Sequence, residues 1–421
     1  MQKIVNENLK EAYTVATHPS GLKIYMLRKE GYNSSHAVFG TKYGSVDVTF
    51  SRDGNGAVTV TDGIAHFLEH KLFESEELDA FELFAKTGAY ANAYTSFDRT
   101  CYLFGCSSSS EENLKILLNF VQSPYFTKET VEKEQGIIGQ EIKMYNDSPD
   151  WRVLFNLLQA LYHNNPVKVD ISGSVESIAK IDDKLLYECY NTFYNPQNMF
   201  LVIVGDFDED KIYNLIDEGI KKPYKKVNIT RQVLQEPENI VTEFITQKLE
   251  VAKQMFMLGY KLTPQGEYCD VNFKATLEIL LELLVGKFSP LRARLINEGL
   301  INDDFDFEFF DTRNTACVIF SGESDNPEKV KNAILEEVEK LKQTGFSNSD
   351  FVAATKKAFG ERVAAFDKVD SIASMLVECA VTDTQLFDYI NAIENLELQD
   401  VNLALDLLKA DKLALSVITG R

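Results

Sequence analysis

The residues His66-Phe67-Leu68-Glu69-His70 form a pattern that can hold and use a metal ion. On a helix, residues four apart stack one turn above another on the same face. His66 and His70 can therefore offer two imidazoles to one ion. Glu69 shares that side and can reach a water bound there. The order H-x-x-E-H is the reverse of the thermolysin-type order and belongs with the zinc-peptidase motifs. Two imidazoles and one carboxylate make a common catalytic zinc set, with one position left for water. The chain has only 5 histidines, so this pairing is an uncommon coincidence. The alternative for these five residues alone is a polar helix face with two ordinary histidines.

A carboxylate to complete the set is on offer downstream. Glu134 and Glu141 are seven apart on one predicted helix, which places them on one face two turns apart. Spacing does not choose between them, and a solvated acidic face is the alternative. Gly136 and Gly139 interrupt the same helix at a cost of about 1 kcal/mol each relative to Ala. Glycines on a packed helix face would let another backbone come close.

These residues need elements to position them. Residues 12–50 alternate apolar and polar and break at Gly21, Gly31, Gly40 and Gly44, the pattern of antiparallel strands joined by turns. Ile64 to Phe73 is a compact helical pattern, and Leu78 to Lys86 is a second. Tyr90 to Ser96 and Thr100 to Phe104 read as paired strands. Helices are expected over Glu111 to Val121, from a Thr127 cap to Tyr145, and over Trp151 to Tyr162, Asp182 to Phe193 and Lys211 to Lys221. Met199 to Gly205 is an apolar strand. The polar run 226–248, with Pro237, reads as a linker. It separates a metal-bearing domain over 1–225 from a second domain over 249–421. In both halves a strand is followed by an acidic turn and two helices (from Thr100 and from Thr315), which hints at duplication.

Composition narrows the function. The formal net charge is −21, from 43 basic and 64 acidic residues. Nucleic acid and anionic membranes reward clustered Lys and Arg, so neither is an expected partner. Cationic substrates are compatible with this charge. The six cysteines are scattered without a C-x-x-C pair, as in free thiols of a reducing compartment. The first ten residues are polar, and no run of about 18 apolar residues occurs. A cytoplasmic location is expected.

The chain resembles the pitrilysin/insulinase family of inverted zinc peptidases, which includes the mitochondrial processing peptidases. The resemblance rests on His66-Phe-Leu-Glu69-His70 with Lys71-Leu-Phe-Glu74, on Asn92-Ala93-Tyr94-Thr95-Ser96, and on Glu134 followed by Glu141. Phe193-Tyr194-Asn195-Pro196-Gln197-Asn198-Met199 and the strand ending Val204-Gly205-Asp206 extend it. It covers most of residues 15–210 and the second half more weakly, and is strongest to the small bacterial members. It implies an α+β fold of two similar domains, each an antiparallel-rich sheet packed with helices. It implies one zinc ion per chain on His66, His70 and Glu141, with Glu69 as general base. Glu134 would be an acidic residue that supports catalysis. Asn92 and Ala93 would lie on an edge strand that pairs with extended peptide substrate, since a free strand edge offers unpaired N–H and C=O groups. Glu74 and Asp79 read first as solvated surface charge, with a role as acceptors for the histidine ring protons as the alternative. The implied activity is hydrolysis of short or unfolded peptides, such as the processing of a small peptide. The alternative is a non-catalytic scaffold or binding subunit.

The pattern is broken in the second half. Active members carry an Arg and a Tyr around a Gly-Leu pair, and an ungapped alignment puts Leu295 and Asn302 at those positions. Arg292 and Arg294 are near but out of register. In two-subunit members one chain supplies the metal motif and the other the Arg/Tyr pair. A homologous partner subunit, forming a heterodimer, is therefore expected, with a homodimer as the alternative.

Overall fold

A computed structural model describes residues 1–74, 80–224 and 226–420. The chain forms two compact units. One comprises 1–142, 170–232 and 363–386, the other 143–169, 233–362 and 387–421.

The first unit is built on a seven-stranded sheet. Its order is β1 (Gln2–Asn6), β2 (Glu11–Thr17), β3 (Lys23–Arg28), β9 (Met199–Gly205), β4 (Ser35–Thr41), β8 (Thr100–Cys106) and β7 (Tyr90–Thr95). A small sheet joins β10 (Ile229–Arg231), β5 (Thr49–Arg52) and β6 (Val58–Thr59). All seven residues of β9 are buried, because this strand is central and covered on both faces. It runs parallel to β3 and antiparallel to β4. One face of the sheet, with Ile24, Met26, Phe39, Phe104 and Leu201, shares a core with α1 (Ile64–Leu72), α2 (Ala80–Thr87) and α3 (Ser110–Val121). The helix Val369–Thr382 packs on β4 and β9.

The second unit carries a five-stranded sheet. Its order is β11 (Phe244–Lys248), β15 (Leu413–Thr419), β12 (Met255–Leu262), β14 (Thr315–Glu323) and β13 (Asp306–Thr312). The hairpin β13–β14 followed by helices Pro327–Thr344 and Asn348–Ala364 repeats the order β7–β8, α3 and α4 (Lys128–Asn146) of the first half. Each unit is thus an antiparallel-rich sheet packed with helices, the expected α+β class.

Sequence and structure differ at several points. The expected contiguous division into 1–225 and 249–421 is not how the units are composed. The break after Gln232 falls inside the expected linker, but 143–169 folds with the second unit and 363–386 with the first. For 143–169 the cause is α5 (Pro149–Leu161), whose buried Val153, Leu157 and Leu161 pack on β12 and β15; for 363–386 it is the helix on β4 and β9. An apolar stripe shows that a helix must dock, not on which sheet. Gly40 does not break a strand: it lies within β4, where a Cβ would meet the Phe200 ring at 2.3 Å. The polar N-terminus forms β1, an edge strand that among the described residues pairs only with β2. Pro149 opens α5 at its first turn, where its missing N–H costs nothing.

The glycines of α4 also differ from expectation. A Cβ at Gly136 or Gly139 would meet nothing within 4 Å among the described residues, so no other backbone closes on them. Gly136→Ala and Gly139→Ala should each stabilise the protein by about 0.5–1 kcal/mol. A thermal melt would check this, and a lowered midpoint would mean the space is needed.

Candidate metal centre

Two helices and one strand build the site in the first unit. Gly63 precedes α1 with φ +89°, and a Cβ there would lie 2.4 Å from the Ser172 carbonyl oxygen. Only glycine fits, and this contact sets where α1 begins. Thr127 caps α4 by accepting a bond from Thr130 N at 3.2 Å.

The helices bring His66, His70 and Glu141 together. Their ligand atoms all lie within 4.8 Å of one another. His66 Nε2 is 3.7 Å from Glu141 Oε1, and His70 Nε2 is 3.4 Å from Glu141 Oε2. A tetrahedral ion with bonds of roughly 2.0–2.1 Å would separate its ligand atoms by about 3.3–3.4 Å. The two imidazole–carboxylate spacings, each to a different oxygen of Glu141, are close to that, and two imidazoles with one carboxylate are a donor set that suits zinc. The His66 side chain is 11% exposed, and its Nδ1 is buried without a hydrogen-bond partner among the described residues. Burying such a ring is costly, and an ion at Nε2 would offset part of that cost.

The surroundings set the charge states. Burial, with His70 beside it, pushes the His66 imidazole down to about 3, which favours the neutral ring that a metal requires. Burial also disfavours the charged form of His70. The Glu134 hydrogen bond, with Glu141 and Glu69 nearby, outweighs that and leaves its pKa raised. Burial raises Glu69, although a hydrogen bond from Thr95 and the nearness of His70 oppose the shift. A divalent cation would pull all of these values down, because it favours deprotonated neighbours.

Glu134 and Glu141 do different things. Glu134 is 6% exposed, and its Oε1 bonds His70 Nδ1 at 3.0 Å. The imidazole is thereby held with Nε2 turned to Glu141. Outer partners of this kind orient metal-binding rings. Glu134→Gln should weaken zinc binding or activity by about 10–100-fold. Zinc competition with a chromophoric chelator would measure it, and unchanged affinity and turnover would remove the assignment.

Glu74 does not orient the histidines. It pairs with Lys71, whose side chain is fully buried and needs a counter-charge. Asp79 lies outside the described residues. Thr95 is the residue that spacing did not single out, although it belongs to the quoted Asn92 to Ser96 run. Its hydroxyl donates to Glu69 Oε2 at 2.6 Å. Asn92 and Ala93 lie on β7, the outermost strand, which packs beside α1. Ala93 leans on the core, while Asn92 is exposed and its Oδ1 accepts from Ala93 N.

In the second unit Leu295 is fully buried. Asn302 Nδ2 donates to Asp304 and Glu323, each at 3.3 Å. Arg292 is 5% exposed, donates to the Asp303 carbonyl oxygen and lies over the Phe305 ring.

Comparison with known proteins gives consistent relatives. The family model described as insulinase (peptidase family M16) matches residues 59–174, and that described as peptidase M16 inactive domain matches 180–358. The uncharacterized zinc protease YmfH of Bacillus subtilis (strain 168) is 39% identical over 435 residues, covering 100% of both chains. The uncharacterized zinc protease YmxG of the same organism is 24% identical over 350 residues, covering 80% of this chain and 83% of its own. A solved M16-like peptidase from Alicyclobacillus acidocaldarius superposes with a TM-score of 0.93 at 32% identity, over 97% of this chain and 98% of that one. A protease from Helicobacter pylori shares the fold, with a TM-score of 0.83 at 19% identity, over 97% of this chain and 99% of its own.

Proposed function

The chain belongs to the insulinase family, peptidase family M16, and on that premise we propose that it is a zinc-dependent endopeptidase acting on short or unfolded peptides. The observation that carries this reading is the convergence of His66, His70 and Glu141 within 4.8 Å, with the buried Glu69 carboxylate on the same helix. His66, His70 and Glu141 would hold one zinc ion. When bound, zinc polarises the substrate carbonyl and makes water a better nucleophile near neutral pH.

The chain's own groups do the rest. Glu69 accepts a proton as water attacks and returns it to the leaving amine. Thr95 holds one oxygen of Glu69, which leaves the other to face the reaction. Glu134 fixes His70. The outer edge of β7, at Asn92 and Ala93, pairs with the extended peptide backbone, which takes the place of the Asn92 Oδ1 that Ala93 N now meets. All six cysteines are buried, as packed thiols of a cytoplasmic chain would be. No helix among the described residues is long and apolar enough to cross a membrane.

The missing Arg/Tyr pair supports a two-chain assembly. Leu295→Arg would bury a charge at a fully buried position, and Arg292 is already committed. A homologous partner chain would supply the pair. The test is cleavage of a quenched mixed-peptide library by the chain alone and with a homologous subunit bearing the pair. Cleavage that needs the partner supports the heterodimer. A highly active homodimer removes the partner but keeps the peptidase. No cleavage by either preparation leaves the non-catalytic scaffold.

A further inference from the structure

The edge strand β7 is held in place from outside the metal centre. Its turn to β8 carries Asp98 and Arg99. Arg99 Nε donates to Asp98 Oδ1 at 2.7 Å, and Nη1 donates to Glu378 Oε2 at 2.7 Å. The Asp98 side chain is fully buried and that of Arg99 is 14% exposed. Glu378 sits on the helix Val369–Thr382, which reaches this unit from 279 residues further along the chain.

The turn is braced on a second side. Val46 N donates to Phe97 O at 2.9 Å and Ser45 N to Ser96 O at 3.1 Å. A Cβ at Gly44 would lie 2.4 Å from the Phe97 carbonyl carbon. At the other end of β7, the Tyr90 ring lies over Gly105, where a Cβ would come within 2.3 Å. The Tyr90 hydroxyl is 3.3 Å from His36 Nδ1. Thr95, next to the turn, is the residue that grips Glu69.

A buried charge cluster is weak evidence for stability, because desolvation offsets much of its attraction. Its directional bonds do fix geometry. The apolar face of the sheet could hold β8 without it, but an outermost strand has a ladder on one side only.

We propose that Arg99, clamped by Asp98 and Glu378, is a positioning residue for peptide hydrolysis. It fixes the β7–β8 turn, so that the free edge of β7 and the Thr95 hydroxyl keep one register against Glu69. The clamp acts through the strand and touches neither zinc nor water. This inference rests on the peptidase reading above.

The test uses Glu378→Ala and Glu378→Asp in the full chain, with the partner subunit added if the wild type requires it. Glu378 is 43% exposed on its side chain, so its loss leaves the core intact. Three quantities are read: kcat and KM for a peptide long enough to lie along β7, zinc content, and hydrogen exchange over residues 90–100. Glu378→Ala should lower kcat/KM about tenfold, within the range that a small misplacement of reacting groups produces. Exchange in β7 should rise, with zinc content and the exchange of α1 unchanged. Glu378→Asp should recover part of both. Unchanged kcat/KM, or a loss that follows zinc content alone, overturns the clamp. Unchanged exchange in β7 does the same without reference to catalysis. If wild type cuts nothing with or without a partner, the peptidase reading fails and takes this proposal with it.

Discussion

Glu69→Gln should lower the turnover of peptide cleavage by roughly 10²–10⁴-fold, the usual worth of a positioned general base, with zinc content and fold retained. The substitution keeps the shape of a side chain that is only 8% exposed. The amide oxygen can still accept the bond that Thr95 now donates at 2.6 Å. The amide cannot accept a proton from water or deliver one to an amine. Glu69 is not among the three residues whose ligand atoms converge, so the ion should remain. The measurement is kcat beside zinc content in the same preparation. A variant that kept a tenth of the wild-type rate would require another base.

Loss of the metal should have an effect of similar size, and it should also reach stability. A ligand that binds only the folded state stabilises it by about 4 kcal/mol when present at a thousand times its Kd. Chelation should therefore lower the thermal midpoint and abolish cleavage, with both restored by added zinc. His66→Ala should behave as chelated wild type does, with a midpoint insensitive to zinc. The reason is geometric. Among the described residues Glu141 is the one carboxylate within 4 Å of both rings, at 3.7 and 3.4 Å, and with one imidazole gone the set offers only two close ligands. If His66→Ala still carried one zinc per chain, the ligand assignment would be lost.

Much of this was legible in the sequence, and the reasons differ from residue to residue. His66 and His70 share a face because the helix over Ile64–Leu72 is set by local periodicity. The seven-residue step from Glu134 to Glu141 put both carboxylates on one side of α4 for the same reason. The hairpin at Tyr90 to Cys106 was legible because alternation and a short turn are local signals. Hidden from that reading was the division of labour between the two glutamates. One step along a helix does not say which carboxylate meets Nδ1 and which faces both Nε2 atoms. The partner of Glu74 was hidden as well: it meets the need of Lys71, a buried cation three residues away.

By itself, the sequence determined the elements that carry the chemistry and their internal faces. Period, caps and breakers act within a few residues, so α1, α4 and the β7–β8 hairpin follow from local physics. Only the tertiary structure decided what those faces meet. It set Thr95 against Glu69 and Glu134 against His70. It also sent residues 363–386 to the unit that holds His66, His70 and Glu141, and 143–169 to the other. Those pairings join residues tens to hundreds of positions apart. An apolar or charged face carries no address in its own sequence; burial and counter-charge are satisfied by whichever surface the packed chain brings to it.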